Sequence, residues 1–270
     1  VARWDLRGSV YLISDHLVYA IRVLRPAISV LITNSICMRF FIFSLHVFFN
    51  LCISWSVISQ DSVVVPATAL RFSREMGIFD SFNLSHKYTP DAILFTGSSS
   101  ITLWNTMHED LPGINAVNRG FGGSRVEDVA YYLSNIISDH PWRAIVIMAG
   151  SNNITGGAND MPLDSVLYYT KYIIRKIRKK YPSVPVFWIA ITPTLSRISV
   201  LDRVRQMNER WKEFFTQQEK VHFIDTFPHF MNSEGNPRSE LFRSDQLHLN
   251  REGYRLWGDI FGRELTKYLD

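Results

Sequence analysis

The chain has 270 residues, 46% of them hydrophobic, which is enough to bury a sizeable core. A formal net charge of +4 is mildly basic, and its densest cationic run (Arg175, Lys176, Arg178, Lys179, Lys180) falls at the end of a predicted helix, where cations suit the dipole and read as solvated surface. No finger spacing or base-stacking motif argues for nucleic acid, and both cysteines, Cys37 and Cys52, lie in the N-terminal apolar region, so a disulfide framework, a zinc knuckle and a thiol nucleophile are excluded from residue 53 onward.

Residues 1–37 lack a starting Met and carry no globular pattern; Met38 reads as the start, with 1–37 an over-extended segment. After Met38 and Arg39 comes "FFIFSLHVFFNLCISWSVISQ", without Asp, Glu, Lys or Arg. A basic start, an apolar centre and the small residues Ser54, Ser56 and Ser59 make the pattern of a secretory signal peptide, with Val57-Ile58-Ser59 as cleavage triplet. The run is equally long enough to anchor the chain in a bilayer. Residues 38–60 are therefore expected to act as signal peptide or membrane anchor, and the protein to be periplasmic, secreted or membrane-anchored. A buried core helix is the plainer alternative.

From residue 66 to 270 the sequence reads as one domain. The runs "DAILFTG" (91–97), "INAVNRG" (114–120), "RAIVIMAG" (143–150), "VPVFWIAI" (184–191) and "VHFID" (221–225) are short and apolar without alternation, as parallel strands buried on both faces require. Helical patterns lie between them. "SRVEDVAYYLSNIIS" opens with Ser124 and has Glu127 three residues on, a predicted capping box. Pro162 begins a second helix, "LDRVRQMNERWKEFF" is a third, and Asn250 caps the last, with Tyr254, Trp257, Phe261 and Leu265 on one face. Alternating strands and helices predict a three-layer α/β/α sandwich around a five-stranded parallel sheet.

Such sheets bind ligands beyond the carboxyl ends of their strands. Four polar stretches fall there: Gly97-Ser98-Ser99-Ser100, "NRGFGGS" (118–124), "GSNN" (150–153) and "FRSDQLHLN" (242–250). A serine nucleophile needs a base, an orienter for the base and donors for an oxyanion. His248 is the candidate base, and Asp245, three residues earlier, can aim a carboxylate at its ring. Gly123 offers an unobstructed backbone N–H, Asn152 a side-chain NH₂, and a serine at the strand-to-helix turn its own N–H.

These stretches resemble the blocks of the SGNH (GDSL-type) esterase and lipase superfamily, over about residues 70–268. Block one there reads Gly-Asp-Ser-Leu, which aligns Ser99 with the nucleophile and Ser98 with the aspartate. The block-two glycine lies five residues after an asparagine, as Gly123 does after Asn118. Block three, Gly-x-Asn-Asp, corresponds to Gly150-Ser151-Asn152-Asn153, and Asp-x-x-His to Asp245 and His248. The match is nearest to a bacterial subgroup with "GSSSI", a following Trp and "NRGFGGS". The resemblance implies a flavodoxin-like fold, a Ser99–His248–Asp245 triad and an oxyanion hole of Ser99, Gly123 and Asn152. Ser98 in place of aspartate is shared with that subgroup. Asn153 in place of aspartate, and Ser151 in place of a common acidic residue, alter how the Asn152 loop is held.

Taken singly, each motif has a plainer reading. A Gly-Ser-Ser-Ser turn is more often a loop, a lone histidine is more often surface or core, and Asp245 or Asn152 could cap a turn. Co-occurrence in order, after successive predicted strands, favours catalysis. The other histidines (His16, His46, His86, His108, His140, His222, His229) form no ligand pattern, so neither metal nor other cofactor is expected. The expected activity is hydrolysis of carboxylic esters on a small molecule, glycan or lipid, with short acyl or O-acetyl esters favoured and lysophospholipid as a further class. Trp104, Phe121, Arg197 and Arg243 are candidate substrate-rim residues, beside Trp188 and Trp257. The rival readings are an acyltransferase on the same site and a non-catalytic, membrane-tethered binding module.

Overall fold

The computed structural model describes residues 3–4, 10–11 and 69–269. The chain divides into two compact units, Val1–Ser62 and Val63–Asp270. In the first, Arg3–Trp4 pairs antiparallel with Val10–Tyr11. The expectations for residues 12–60, signal peptide or anchor included, lie outside the described residues. Among those that are described, no helix is long and apolar enough to cross a membrane.

The second unit is built on five parallel strands: β1 (Ile93–Gly97), β2 (Ala116–Gly120), β3 (Ala144–Met148), β4 (Val186–Ile189) and β5 (Val221–Ile224), in the order β2-β1-β3-β4-β5. All five are the runs expected from sequence. β1 and β3 are buried at every position, so they carry no alternation. The order reverses between β1 and β3, which opens a crevice at their carboxyl ends.

The sheet divides two cores. On one side, Leu94, Ile145, Ile147 and Trp188 meet α1 (Ser73–Ser85), α4 (Val126–Tyr131), α5 (Leu133–Ile137), α6 (Leu163–Lys180) and α7 (Leu201–Thr216). On the other, Phe95, Val146, Phe187 and Ile189 meet α2 (Ser99–Thr102), α3 (Met107–Asp110) and α8 (Arg251–Leu269). Asn250 caps α8 as expected, its Oδ1 accepting the N–H groups of Glu252 and Gly253 at 3.0 Å. Tyr254, Trp257 and Phe261 pack around Trp104, and Arg251 pairs with Asp110, tying α8 to the turn after β1.

Three local expectations change. The predicted helix from Ser124 is broken at Tyr132 into α4 and α5. Its capping partner is Asp128, whose carboxylate accepts the Arg125 N–H at 2.9 Å, while Glu127 turns to other partners. α1 falls in a stretch given no element from sequence, because only Met76 and Phe79 of it are buried and its apolar residues define no single stripe.

Gly97 ends β1 at φ 136°, where a Cβ would stand 1.9 Å from the Met148 carbonyl oxygen. Neither backbone can withdraw without parting the central strands. Gly97→Ala is expected to cost about 3 kcal/mol or more of stability, read as a lowered denaturation midpoint.

Candidate active site

The three serines after β1 have three different environments. The Ser98 N–H donates to the Met148 carbonyl at 3.1 Å, and its buried hydroxyl faces the Met148 sulfur at 3.7 Å. The Ser98 carbonyl accepts the N–H groups of Ile101 and Thr102, which starts α2. The Ser100 carbonyl accepts the Tyr254 hydroxyl at 2.9 Å. Ser99 opens α2 with its Oγ 3.0 Å from His248 Nε2. Of the three, Ser99 alone meets a base.

His248 stands in a tight loop before α8. Phe242 and Leu249 bridge antiparallel across its neck, and the Arg243 N–H donates to the His248 carbonyl at 2.8 Å. Gln246 takes a left-handed φ of 53° at the tip. Asp245 Oδ1 accepts the N–H groups of Leu247 and His248, both at 2.9 Å, and Oδ2 lies 2.7 Å from His248 Nδ1. The His248 backbone N–H first, then its ring and the Leu247 N–H, hold the Asp245 pKa at about 2. An ionised carboxylate only accepts, so Nδ1 carries the proton and Nε2 is left to accept from Ser99.

Three donors have no other claim on one hydrogen each. Among the described residues, the backbone N–H groups of Ser99 and Gly123 donate to no protein group. Gly123 sits at φ 77°, and a Cβ on neighbouring Gly122 would lie 3.9 Å from Ser99 Cβ, so this loop closes over Ser99. Asn118 fixes the base of the loop, donating to the Ile101 carbonyl at 2.7 Å and accepting the Gly120 N–H at 2.9 Å. The Asn152 Nδ2 donates to the Ser124 carbonyl at 3.0 Å, which uses one of its two hydrogens. The structure thus brings Ser99, Gly123, Asn152, Asp245 and His248 to one rim.

Asn153 is fully buried. Its Oδ1 accepts the Val126 N–H at 2.9 Å, and its Nδ2 donates to Glu127 Oε2 at 2.7 Å. The amide explains the departure from aspartate: a carboxylate here could take the Val126 N–H but would face Glu127 with like charge.

Most of the candidate rim residues fall elsewhere. Trp104 and Phe121 are 1% and 0% exposed, as are Trp188 and Trp257 at 0%, so the rim expectation is corrected for all four. Trp104 packs on α8 with its Nε1 on Asp110, and Phe121 meets Phe72 edge-on. Large aromatic surface is worth most when removed from water, and the core claims it. Arg243 clasps the Asp245–His248 loop by donating from Nε to the Leu249 carbonyl at 3.0 Å. Arg197 lines the cleft, but its guanidinium donates to the Ser151 carbonyl and to Asn152 Oδ1. Burial draws its pKa below the usual value. Arg71, which no motif flags, donates to the Gly123 carbonyl at 2.7 Å from 52 positions upstream. Thr192 also lines the cleft, with a buried hydroxyl that has no protein partner.

The cleft bounded by Ser99, Met148, Asn152, Thr192, His248 and Leu249 encloses about 20 Å³. A larger hollow, about 380 Å³, opens at the amino ends of the strands beside Asp91, Asn115 and Arg143. Its lining includes none of Ser99, Asp245 and His248, so chemistry rather than size marks the candidate site.

A model of the GDSL-like lipase/acylhydrolase family matches residues 90–256. The chain belongs to this family. As a GDSL-like acylhydrolase it is a carboxylic ester hydrolase. Platelet-activating factor acetylhydrolase IB subunit alpha1 of Rattus norvegicus is 26% identical over 185 residues, covering 64% of this chain and 76% of that protein. A GDSL-like lipase from Bacteroides thetaiotaomicron is similar in structure, with a TM-score of 0.62 at 15% identity, covering 71% of this chain and 97% of the other. A catalytic mutant of the acetylxylan esterase Axe2 from Geobacillus stearothermophilus gives 0.54 at 14%, covering 65% and 94%. Both structures share the GDSL-like fold. Arg71 lies upstream of the family match, and the last turns of α8 lie beyond it.

Two outcomes are expected here. Asn153→Asp places two carboxylates together in a buried site, and so costs about 1–3 kcal/mol at pH 8. Such a pair has a raised pKa, so the loss shrinks as the pH falls toward about 5 and one carboxyl takes a proton; urea midpoints at the two pH values measure it. Asp245→Asn is expected to keep the fold and lower turnover by roughly 10²–10⁴, because an amide can offer its NH₂ to Nδ1 and favour the wrong tautomer. The depressed Asp245 pKa means that its brace on the loop is complete above about pH 4 and is lost only as the pH falls through about 2. Activity of the parent enzyme should therefore show no ionisation assignable to Asp245 between pH 4 and 9.

Proposed function

We propose that the protein is a serine esterase that removes short acyl groups, acetyl foremost, from its substrates through an acyl-enzyme intermediate. One observation carries the reading: Ser99 Oγ lies 3.0 Å from His248 Nε2 while the opposite ring nitrogen lies 2.7 Å from Asp245. That is the geometry of a nucleophile, its base and the orienter of that base.

The steps follow from which groups donate and accept. His248 Nε2 takes the Ser99 proton as Oγ attacks the ester carbonyl carbon. Negative charge develops on the carbonyl oxygen and is received by the N–H groups of Ser99 and Gly123 and the free hydrogen of Asn152. Asp245 stabilises the imidazolium. His248 then gives its proton to the leaving alcohol, and the acyl group remains on Ser99. Water, deprotonated by His248, releases the acid and restores the hydroxyl. Each oxyanion donor contributes about 3 kcal/mol of transition-state stabilisation.

The cleft beside Ser99 is small, which supports short acyl groups over long acyl chains. An acetylhydrolase and an acetylxylan esterase among the similar proteins support the same class, with the acetyl on a lipid or on a glycan. The intact relay speaks against a non-catalytic module.

Ser99→Ala is expected to abolish ester hydrolysis with an unchanged melting temperature, whereas Ser98→Ala and Ser100→Ala retain activity. A fluorophosphonate adduct, mapped by mass spectrometry, should sit on Ser99; an adduct on Ser98 or Ser100 would falsify the assignment. Across acetyl, butyryl and octanoyl esters of one activated alcohol, kcat/KM should fall by about tenfold or more at the first lengthening, since an overpacked site costs about 1–3 kcal/mol.

A further inference from the structure

Arg197 belongs to the segment Leu195–Val200 that follows β4 and supplies no part of the Ser99–His248–Asp245 relay. Its guanidinium crosses to the loop after β3. There Nη1 donates to the Ser151 carbonyl at 2.7 Å and Nη2 to Asn152 Oδ1 at 3.0 Å. A planar fork that grips two oxygens at once fixes orientation as well as distance.

The far end of the same amide is also held, by the Ser124 carbonyl at 3.0 Å from Nδ2. A guanidinium can only donate and a carbonyl can only accept. With one on each side, the Asn152 amide has a single allowed orientation: oxygen to Arg197, NH₂ to Ser124. Exchanging its ends would set the NH₂ against a cation and the oxygen against a carbonyl. The hydrogen not taken by Ser124 is then always an Nδ2 hydrogen.

The segment is braced on the other flank too, where the Ser196 N–H donates to the Gln246 carbonyl at 3.2 Å. It therefore touches both the loop of Asn152 and the loop of Asp245 and His248. Arg197 has no ion-pair partner among the described residues, so its positive charge lies against the amide with no carboxylate in contact.

We propose that Arg197 is a positioning residue of the oxyanion hole, which locks the Asn152 amide with its NH₂ available to the developing oxyanion and polarises it, without itself touching substrate. This rests on the reading of Asn152 as an oxyanion donor. It gives Arg197 a place in transition-state stabilisation rather than in the binding rim suggested by sequence.

The test is a double-mutant cycle on the full chain, with steady-state kinetics on an activated acetyl ester and the rate of fluorophosphonate labelling as readouts. Asn152→Ala is expected to lower kcat by roughly 10²–10³. Arg197→Met should lower kcat roughly 10- to 100-fold with KM within about twofold, and slow labelling in parallel. Arg197→Lys keeps the charge but cannot hold two oxygens at once, so its kcat should lie between that of Arg197→Met and that of the parent; it carries the test if Arg197→Met does not fold. In the Asn152→Ala background neither change at position 197 should slow the enzyme further, because the group being positioned is gone. An equal loss in both backgrounds overturns the proposal, as does a raised KM with kcat intact. A slow Asn152→Ala enzyme beside a fully active Arg197→Met enzyme overturns the proposal alone. Unchanged kcat in Asn152→Ala overturns the oxyanion reading and the proposal with it.

Discussion

The close approach of Gly97 to the Met148 carbonyl sets the position of everything at the rim. Because no Cβ intervenes, β1 can end against β3 and the Ser98 N–H can bond the same carbonyl oxygen. That bond turns Ser98 inward and leaves Ser99 as the first residue of α2, facing outward. Ser99 is thus placed by a backbone contact between the two central strands, among the most buried parts of the molecule, rather than by a mobile loop.

The remaining parts of the site come from loops, and each is held by polar contacts that reach across the fold. Asn118 ties the Gly123 loop to α2, Arg71 holds the Gly123 carbonyl, and Asn153 ties the loop after β3 to the start of α4. Arg197 and Ser196 bridge the Asn152 loop and the Asp245–His248 loop. Preorganisation of this kind lets donors meet a developing charge without first reorienting, which is where oxyanion stabilisation draws its strength.

The strands were legible because a parallel strand buried on both faces reads as an unbroken apolar run, and "AIVIM" admits little else. The residues of the proposed relay could be picked out because a serine-rich turn follows β1 directly and Asp245 and His248 are close partners along the chain. The supports could not. Nothing local to Arg71 or Arg197 says which distant carbonyl it will reach, since such contacts are products of the tertiary fold. Trp104 and Phe121 misled for a related reason: adjacency to a motif in sequence places a residue near the rim but not on its solvent side, and large aromatic rings go where most surface is buried. The step from Ser124 and Glu127 to Arg125 and Asp128 at the start of α4 has a similar origin, because Arg125 and the distant Asn153 take the two oxygens of the Glu127 carboxylate.

His248 and Asp245 are three residues apart, while Ser99 lies 149 positions before His248. During synthesis on a ribosome, Ser99 therefore emerges long before His248 and Asp245, the groups proposed to activate it. At about 5–20 residues per second the interval is on the order of 10 s, and α8, which packs against the turn after β1, comes later still. Until then the chain carries an ordinary serine hydroxyl. On the proposed relay, a chain stopped before His248 carries a Ser99 hydroxyl with no imidazole beside it.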